Sequence, residues 1–585
     1  MSIEQEKKVS RLRKLFLIIS SPGYVETTII VLLIYISILS IAGNLVFSPL
    51  FLQFCFAAAL FATGIPLLNR HLDVKIRLGD FLWILLVVII ALLLRILVAP
   101  HTIAHTNSHA YNYVRQIIEY SPFNYVGKYG HGCFAFFHTF LSLFGRTEKT
   151  VFIVNSIIGT LSVIPLYFIS TEISRSKIAG ILSALFLAIL PVHVKYSATE
   201  SMFILAVFGQ LITLLSFLFF VRSGKYRFFF AGLLFLSFTM QTRPIMMFFP
   251  ICVLLLGICF TRNFRAIFKF YKSILNTLLF ILLSISPMLL AYNEYRLQSG
   301  SVKQGVYLEE APNLILKTLG ITNSAGGEYG FSSNPFFDPC FTPLIIIAFF
   351  IIGVVILIRK NRKLLLFSIV PALMFAFLYS PINTRTINDV RFQLAYQHFY
   401  ILIAGAGGAW LVESIKIKYK QKAMLWFVVV ALIAASWFPA YKIVKYKHSP
   451  QMEYDFLSGN IPLIDRNLFI IQMDKHIGNI CTEMPYYLSE FNNKNHIWVE
   501  YSDFISAPRK YFDSRKVLFY RGISCYTFPY EPEDEEQPQC RYIMENFNAI
   551  PVMTRDIPAV KDFSFSYGKD ILTIGFYELK QDSER

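Results

Sequence analysis

Charge is scarce in this chain. Only 16% of its 585 residues are Asp, Glu, Lys or Arg, while 55% are hydrophobic, too little polar surface to coat a water-soluble globule of that size. Metal-type CxxC spacing is missing among the eight cysteines, which argues against a zinc ribbon. Repeats of the soluble solenoid type are missing too. No small-residue cleavage site precedes the second apolar run, so the first run is expected to be retained and not removed as a signal peptide. Acidic residues are outnumbered 37 to 54 by basic ones, for a net charge of +17. The basic residues are dispersed over short loops and form no stripe, a pattern that suits anionic headgroups and not nucleic acid.

What the chain does hold is apolar length. Runs long enough to cross ~30 Å of hydrocarbon at 1.5 Å per residue recur along most of it. Thirteen candidate spans fall at about 27–46, 51–68, 80–99, 150–169, 178–194, 202–221, 228–241, 245–261, 273–291, 342–358, 364–380, 399–413 and 424–440. The fold class expected is therefore an α-helical polytopic membrane protein of about 13 transmembrane helices. Lysine and arginine accumulate in cytoplasmic loops, and a cytoplasmic N-terminus makes their distribution alternate without exception. Lys7, Lys8, Arg11, Arg13 and Lys14 come first, then Arg70, Lys75 and Arg77, then Arg222, Lys225 and Arg227. Arg262, Arg265, Lys269 and Lys272 follow, then Arg359, Lys360, Arg362 and Lys363, and last Lys416, Lys418, Lys420 and Lys422.

The same alternation puts residues 441–585 outside, where the composition changes. "NLFIIQM", "NHIWVEY", "KVLFYRG" and "ILTIGFYEL" are short and rich in β-formers, and "EMPYYLSEF" suits a helix. A soluble α/β domain attached to the last span is expected there. Its acidic stretch "EPEDEEQP" reads as a solvated loop, and Cys525 with Cys540 as a candidate disulfide pair. The expected division is thus 1–79, an N-terminal cytoplasmic segment with two additional helices; 80–440, the main transmembrane domain; and 441–585, the extracytoplasmic domain.

Three long external segments, 100–149, 292–341 and 381–398, interrupt the membrane domain, and external loops of such length are usually functional. Channels and simple carriers seldom need so much surface on one side. A transporter would more often show Gly or Pro breaks and polar residues in mid-span, whereas ionisable residues here lie mainly at span ends. The order of features from about residue 80 to 262 then carries a resemblance: "ALLLRILVAP" into "NSHAYNYVRQI", "FFHTFLSLFG", "VFIVNSIIGTLSVIPLYFISTEIS", "AGILSALFLAILPVHVKYSATESMF" and "FAGLLFLSFTMQTRPIMMFFP", with "NDVRFQLAYQHFYIL" later. In order, spacing and sidedness it resembles the membrane-embedded glycosyltransferases of the GT-C superfamily, the class that contains dolichyl-phosphate-mannose protein mannosyltransferases and bacterial aminoarabinose transferases.

The resemblance implies inverting transfer of a sugar from a polyprenyl-phosphate donor to a glycan, lipid or protein acceptor on the external side. It implies an acidic residue in the first external loop and a second in the next short one. The second corresponds to Glu200, but the first position is Asn107, whose amide can hold a hydroxyl and cannot take its proton. His109, which titrates near neutrality, and Glu200 are the proton acceptors expected in its place; Glu119, Glu309, Glu310, Glu328 and Asp389 are the other external acids available. The donor's phosphate calls for fixed cations where negative charge grows as the sugar–oxygen bond breaks. Lys195, Arg243, Arg385 and Arg391 stand at external span ends, and Arg243 and Arg391 match the family pattern best; snorkelling to headgroups is the competing role for each. His101, His105 and His109 recur every four residues, but no carboxylate joins them within the stretch, so no metal site and no cofactor beyond the donor is expected. Two other readings stay open. One is a non-catalytic scaffold that binds lipid-linked glycans in envelope assembly, which Asn107 favours; the other is a transporter. The lysine-, isoleucine- and phenylalanine-rich composition points to a bacterial inner membrane with the C-terminal domain in the periplasm.

Overall fold

The computed structural model describes residues 49–62, 77–98, 117, 131–145, 148–199, 201–261, 342–379, 394–445 and 449–464, and in the C-terminal region 468–474, 476–477, 480–481, 497–513, 515–528, 534–559 and 566–580. The membrane part is helical: α1 Pro49–Ala62, α2 Leu78–Val98, α3 His131–Phe144, α4 Glu148–Leu161, α5 Val163–Ser174, α6 Lys177–Ile189, α7 Pro191–Ser197, α8 Met202–Ser223, α9 Tyr226–Met240, α10 Phe249–Phe260, α11 Leu344–Lys360, α12 Arg362–Tyr379, α13 Leu394–Glu413 and α14 Lys418–Lys445. Among the described residues four helical stretches are long and apolar enough to cross a membrane alone, Leu78–Leu97, Lys149–Ser174, Met202–Ser223 and Lys418–Trp437, and a fifth arises if the bent pair α6 and α7 counts as one span. The spans expected at 27–46 and 273–291 lie outside the described residues.

Outward faces of these helices are apolar. Phe81, Leu82, Leu85, Ile89, Leu93, Ile96 and Leu97 are exposed along α2, and Trp426, Phe427, Val430 and Trp437 along α14. Water would penalise such continuous patches, whereas lipid accepts them. Between helices the contacts come from small residues and aromatic rings. Gly407 of α13 sits so close to α11 that a Cβ there would run into the Phe349 carbonyl and the Gly353 backbone, and Gly405 meets Ser183 of α6 in the same way. Small residues permit this approach where apolar burial adds no driving force. Phe54 of α1 packs among Phe136, Phe235 and Phe238 at centroid distances of 5.7, 5.7 and 5.3 Å.

One end of the bundle is latched by ion pairs and caps. Lys177 pairs with Asp80, Arg222 with the buried Glu172 at 3.6 Å, and the Ser176 hydroxyl donates to Glu413 at 2.5 Å. Ser176 also caps α6 by accepting from the Ala179 N–H. α8 ends on Gly224 at φ 66°, a left-handed turn that glycine adopts without strain. All of these residues belong to the span ends for which the Lys/Arg pattern predicts the cytoplasmic side.

After α15 (Ser449–Asn460) comes a five-stranded sheet of β1 Phe469–Gln472, β2 Ile497–Glu500, β3 Val517–Arg521, β4 Asn548–Pro558 and β5 Ile571–Lys580, in the order β2-β1-β3-β5-β4. β1 runs parallel to β2 and β3, and β5 is antiparallel to β3 and β4. The four strand segments legible in the sequence are thus central or flanking members of one sheet. "EMPYYLSEF" lies outside the described residues. α15 covers one face, stacking Phe456 on Phe576; α16 Tyr501–Ser506, α17 Pro508–Phe512 and α18 Pro538–Asn546 contribute Phe504, Tyr511, Phe512 and Phe547 near Phe469. Cys525 and Cys540 form a disulfide that ties α18 to the turn after β3.

The acidic stretch corrects the reading of a solvated loop. Glu536 and Gln537 are buried. Arg521 holds Glu536 with two parallel bonds of 2.8 and 2.6 Å, and the Gln537 side chain donates to the Thr527 carbonyl at 2.6 Å. A bidentate guanidinium compensates the carboxylate for the water it gives up. Among the described residues of the stretch, Asp534 and Glu535 keep the surface role, facing Arg541 and Lys569.

Candidate functional site at a broken helix

The opposite end of the bundle is organised by a break. α6 and α7 meet at a 59° bend. Leu190 is extended there and Pro191 opens α7, so the proline offers no N–H to the helical ladder and the chain turns. A break inside an apolar bundle frees carbonyls that need donors. Arg95 of α2 supplies one: its guanidinium donates to Ala188 O at 3.4 Å, to Ala91 O at 2.7 Å, and meets His193 Nδ1 at 2.7 Å. Asp80, at the latched end, and Arg95 are separated by about 22 Å of helix rise.

Arg95 is 0% exposed. Because guanidinium has donors only, His193 Nδ1 accepts and its proton sits on Nε2. Neither ring nitrogen of this imidazole then has a lone pair left for a metal. His398, in the second turn of α13, lies within electrostatic range of His193. Among the described residues, His193 Nε2, both nitrogens of His398 and the amide of Gln397 are buried and meet no hydrogen-bond partner.

α7 carries Lys195, which is buried, with its ammonium 5.6 Å from the Tyr196 ring centre. Its far end is clasped by α4. Asn155 Nδ2 donates to Thr199 O at 2.7 Å, Ser201 O at 2.8 Å and Tyr196 O at 3.4 Å, and Ser156 Oγ donates to Ser197 O at 3.2 Å. Ser201 is the N-cap of α8. In the first turn of that helix Phe203 underlies Arg243, whose guanidinium carbon is 3.7 Å from the ring centre, a cation–π seat that also fixes the plane of the charge. Arg243 itself is extended and caps the short 3₁₀ turn Pro244–Phe248 between α9 and α10. A backbone bond from Gly132 N to Gln241 O at 2.8 Å joins the start of α3 to this turn.

Of the residues singled out in the sequence, Lys195 and Arg243 are described, and both belong to this one end. Asn107, His109, Glu200, Arg385 and Arg391 lie outside the described residues, although both neighbours of Glu200 are fixed by Asn155. Arg95, His193, His398 and Asn155 escaped the sequence reading. Ionisable groups within apolar spans are the signal that points to Arg95 and His193; His398 falls at the end of an expected external segment, and an asparagine inside "VFIVNSIIG" gives no signal. A third arrangement, Cys525, Glu536 and Cys540 within 4.8 Å of one another, resembles a metal cluster, but the disulfide consumes both sulfurs.

This membrane-embedded helical bundle therefore has a polar end at which a broken helix presents buried cations, and the class it defines is that of a membrane protein with a site at the bundle end. Residues 132–290 match the family model described as dolichyl-phosphate-mannose-protein mannosyltransferase. The matched stretch, less than half of the chain, contains Asn155, His193, Lys195, Glu200 and Arg243, and over it the protein is similar to a family of membrane glycosyltransferases. No curated protein matches the chain significantly.

Proposed function

We propose that the protein is an inverting glycosyltransferase of the GT-C type that moves a sugar from a polyprenyl phosphate to an acceptor on the extracytoplasmic side. The observation that carries this reading is the seating of Arg243 against Phe203, beside the Thr199 and Ser201 carbonyls that Asn155 clasps, all within the segment matched by the mannosyltransferase family.

The donor's isoprenoid chain lies in the bilayer and its phosphate meets Arg243, with Lys195, Arg385 and Arg391 as further cations. Asn107 holds the acceptor hydroxyl and Glu200 takes its proton, with His109 as the second choice. The acceptor oxygen attacks the anomeric carbon from the face opposite the phosphate. One C–O bond forms, the sugar–phosphate bond breaks, the proton rests on the carboxylate, and the lipid phosphate leaves with its charge met by arginine. Side chains handle both the proton and the leaving group, so the scheme requires no metal. The Cys525–Cys540 disulfide supports an oxidising setting for the C-terminal region, such as a periplasm.

The test incubates purified protein with a panel of radiolabelled polyprenyl-phosphate sugars. Wild type should consume one donor, with Glu200→Gln and Arg243→Ala each slowing turnover by roughly 10²-fold or more and His109→Ala leaving it nearly unchanged. Inert wild type that still binds the lipid would replace the enzyme with a scaffold. Label crossing a proteoliposome without bond cleavage would make it a transporter.

A further inference from the structure

We infer that Asn155 is a positioning residue whose amide sets the turn carrying Glu200, a role that rests on the glycosyltransferase reading above. Its Nδ2 group reaches Thr199 O and Ser201 O at 2.7 and 2.8 Å, the carbonyls on either side of residue 200, and extends to Tyr196 O at 3.4 Å. One side chain from another helix thus holds the carbonyls of the two residues that flank position 200 in the chain. Rotating the amide would aim its oxygen at those carbonyls, so the orientation is set by chemistry. Among the described residues the buried Oδ1 meets no partner, so the contacts the amide makes there are those of its donor.

The rest of α4 is shaped to bring that donor into reach. Gly159 lies one turn on from Asn155, and a Cβ there would collide with the Ser197 side chain. Ser156 Oγ donates to Ser197 O at 3.2 Å, and Ser197 Oγ in turn donates to His193 O at 2.6 Å. Asn155, Ser156 and Gly159 therefore form one small, polar helix face fitted to the end of α7. The α7 terminus has its own donor, since the Thr199 hydroxyl meets the Tyr196 carbonyl at 3.0 Å. The two shorter bonds go beyond it, to the residues that bracket position 200. A base must stand within hydrogen-bond reach of the proton it removes, and a displacement of about 1 Å costs on the order of 10²-fold in rate.

The test compares Asn155→Asp, Asn155→Ala and Asn155→Ser in full-length, detergent-purified protein. Aspartate has the same shape but repels the carbonyls when ionised and has a single O–H to give when protonated, so it cannot hold both, whereas packing alone would tolerate it. We expect Asn155→Asp and Asn155→Ala to lower kcat by roughly 10²-fold while KM for the lipid donor stays within about threefold. Asn155→Ser, which keeps a shorter donor, should fall between. Hydrogen–deuterium exchange, which needs no turnover, should rise in the peptide spanning residues 196–204 and stay unchanged elsewhere. Wild-type kcat in Asn155→Asp overturns the assignment, as does a rise in KM that accounts for the whole loss, exchange unchanged over residues 196–204, or exchange raised throughout the chain. If wild type is inert with every donor, the glycosyltransferase reading fails while the exchange result still decides the clasp. If the aspartate variant does not fold, the serine variant carries the same two readouts.

Discussion

Glu453 should make the C-terminal region less stable as pH rises, and Glu453→Gln should remove that dependence. The carboxyl is 3% exposed on α15, where Oε1 accepts from the Tyr520 hydroxyl at 2.8 Å and the Ile523 N–H at 3.0 Å. Burial pushes it up from 4.5 to about 7, against the opposing pull of those two hydrogen bonds. The unfolded chain releases this proton near 4.5 and the folded protein near 7, so the unfolded state binds fewer protons between those values. Stability is then full below about 4.5, falls as pH rises through the window to about 7, and is level above it. The loss is on the order of 3 kcal/mol. Glutamine retains a carbonyl for Tyr520 and Ile523 and has no charge to desolvate. Thermal unfolding of the full chain in detergent at pH 5 and pH 8 checks this, with the fluorescence of Trp498, 6.2 Å from Tyr520 between ring centres, as a local reporter. Glu453→Gln should match wild type closely at pH 5 and exceed it by roughly 10 °C at pH 8. Equal shifts at both pH values, or destabilisation at pH 8, would refute the reasoning.

Gly407→Leu should prevent α11 and α13 from packing, because its side chain has only the Phe349 carbonyl and the Gly353 backbone to occupy. Size-exclusion chromatography in detergent should show loss of the monodisperse peak, while Gly79→Ala, with open space around it, elutes as wild type. Cys525→Ser with Cys540→Ser opens a covalent loop with a sequence separation of 15, worth about 3 kcal/mol on chain-entropy grounds. The unfolding midpoint of the C-terminal region should fall accordingly, and reductant should then have no further effect on the double variant.

Legibility in the sequence followed the kind of force at work. Strands β1, β2, β3 and β5 were readable from their short β-branched and aromatic runs, even β2, an edge strand that buries only Val499. β4 was not. As an edge strand it buries little besides Ile557 along its length, and it bears a proline at its bulge, so the alternation that marks a half-buried strand never develops. The Cys525–Cys540 pair was readable from spacing and predicted compartment. The burial of Glu536 was not, since a run of acids looks solvated until Arg521 is brought to it. At the site, Arg243 stood out as a cation separating two apolar runs. Asn155 looks like any small polar residue in a span.

Local composition alone settles which stretches suit lipid, which ends carry the basic residues, and where strand-forming segments replace the long apolar runs, because transfer free energy acts residue by residue over short windows. Partnership among polar groups is another matter. That Arg95 reaches the Ala188 carbonyl beside the break, that Phe203 seats Arg243, and that one amide on α4 grips the carbonyls of Thr199 and Ser201 depend on helices distant in sequence meeting at contact distance. A hydrogen bond is decided within a few tenths of an ångström, a precision that only the assembled bundle supplies.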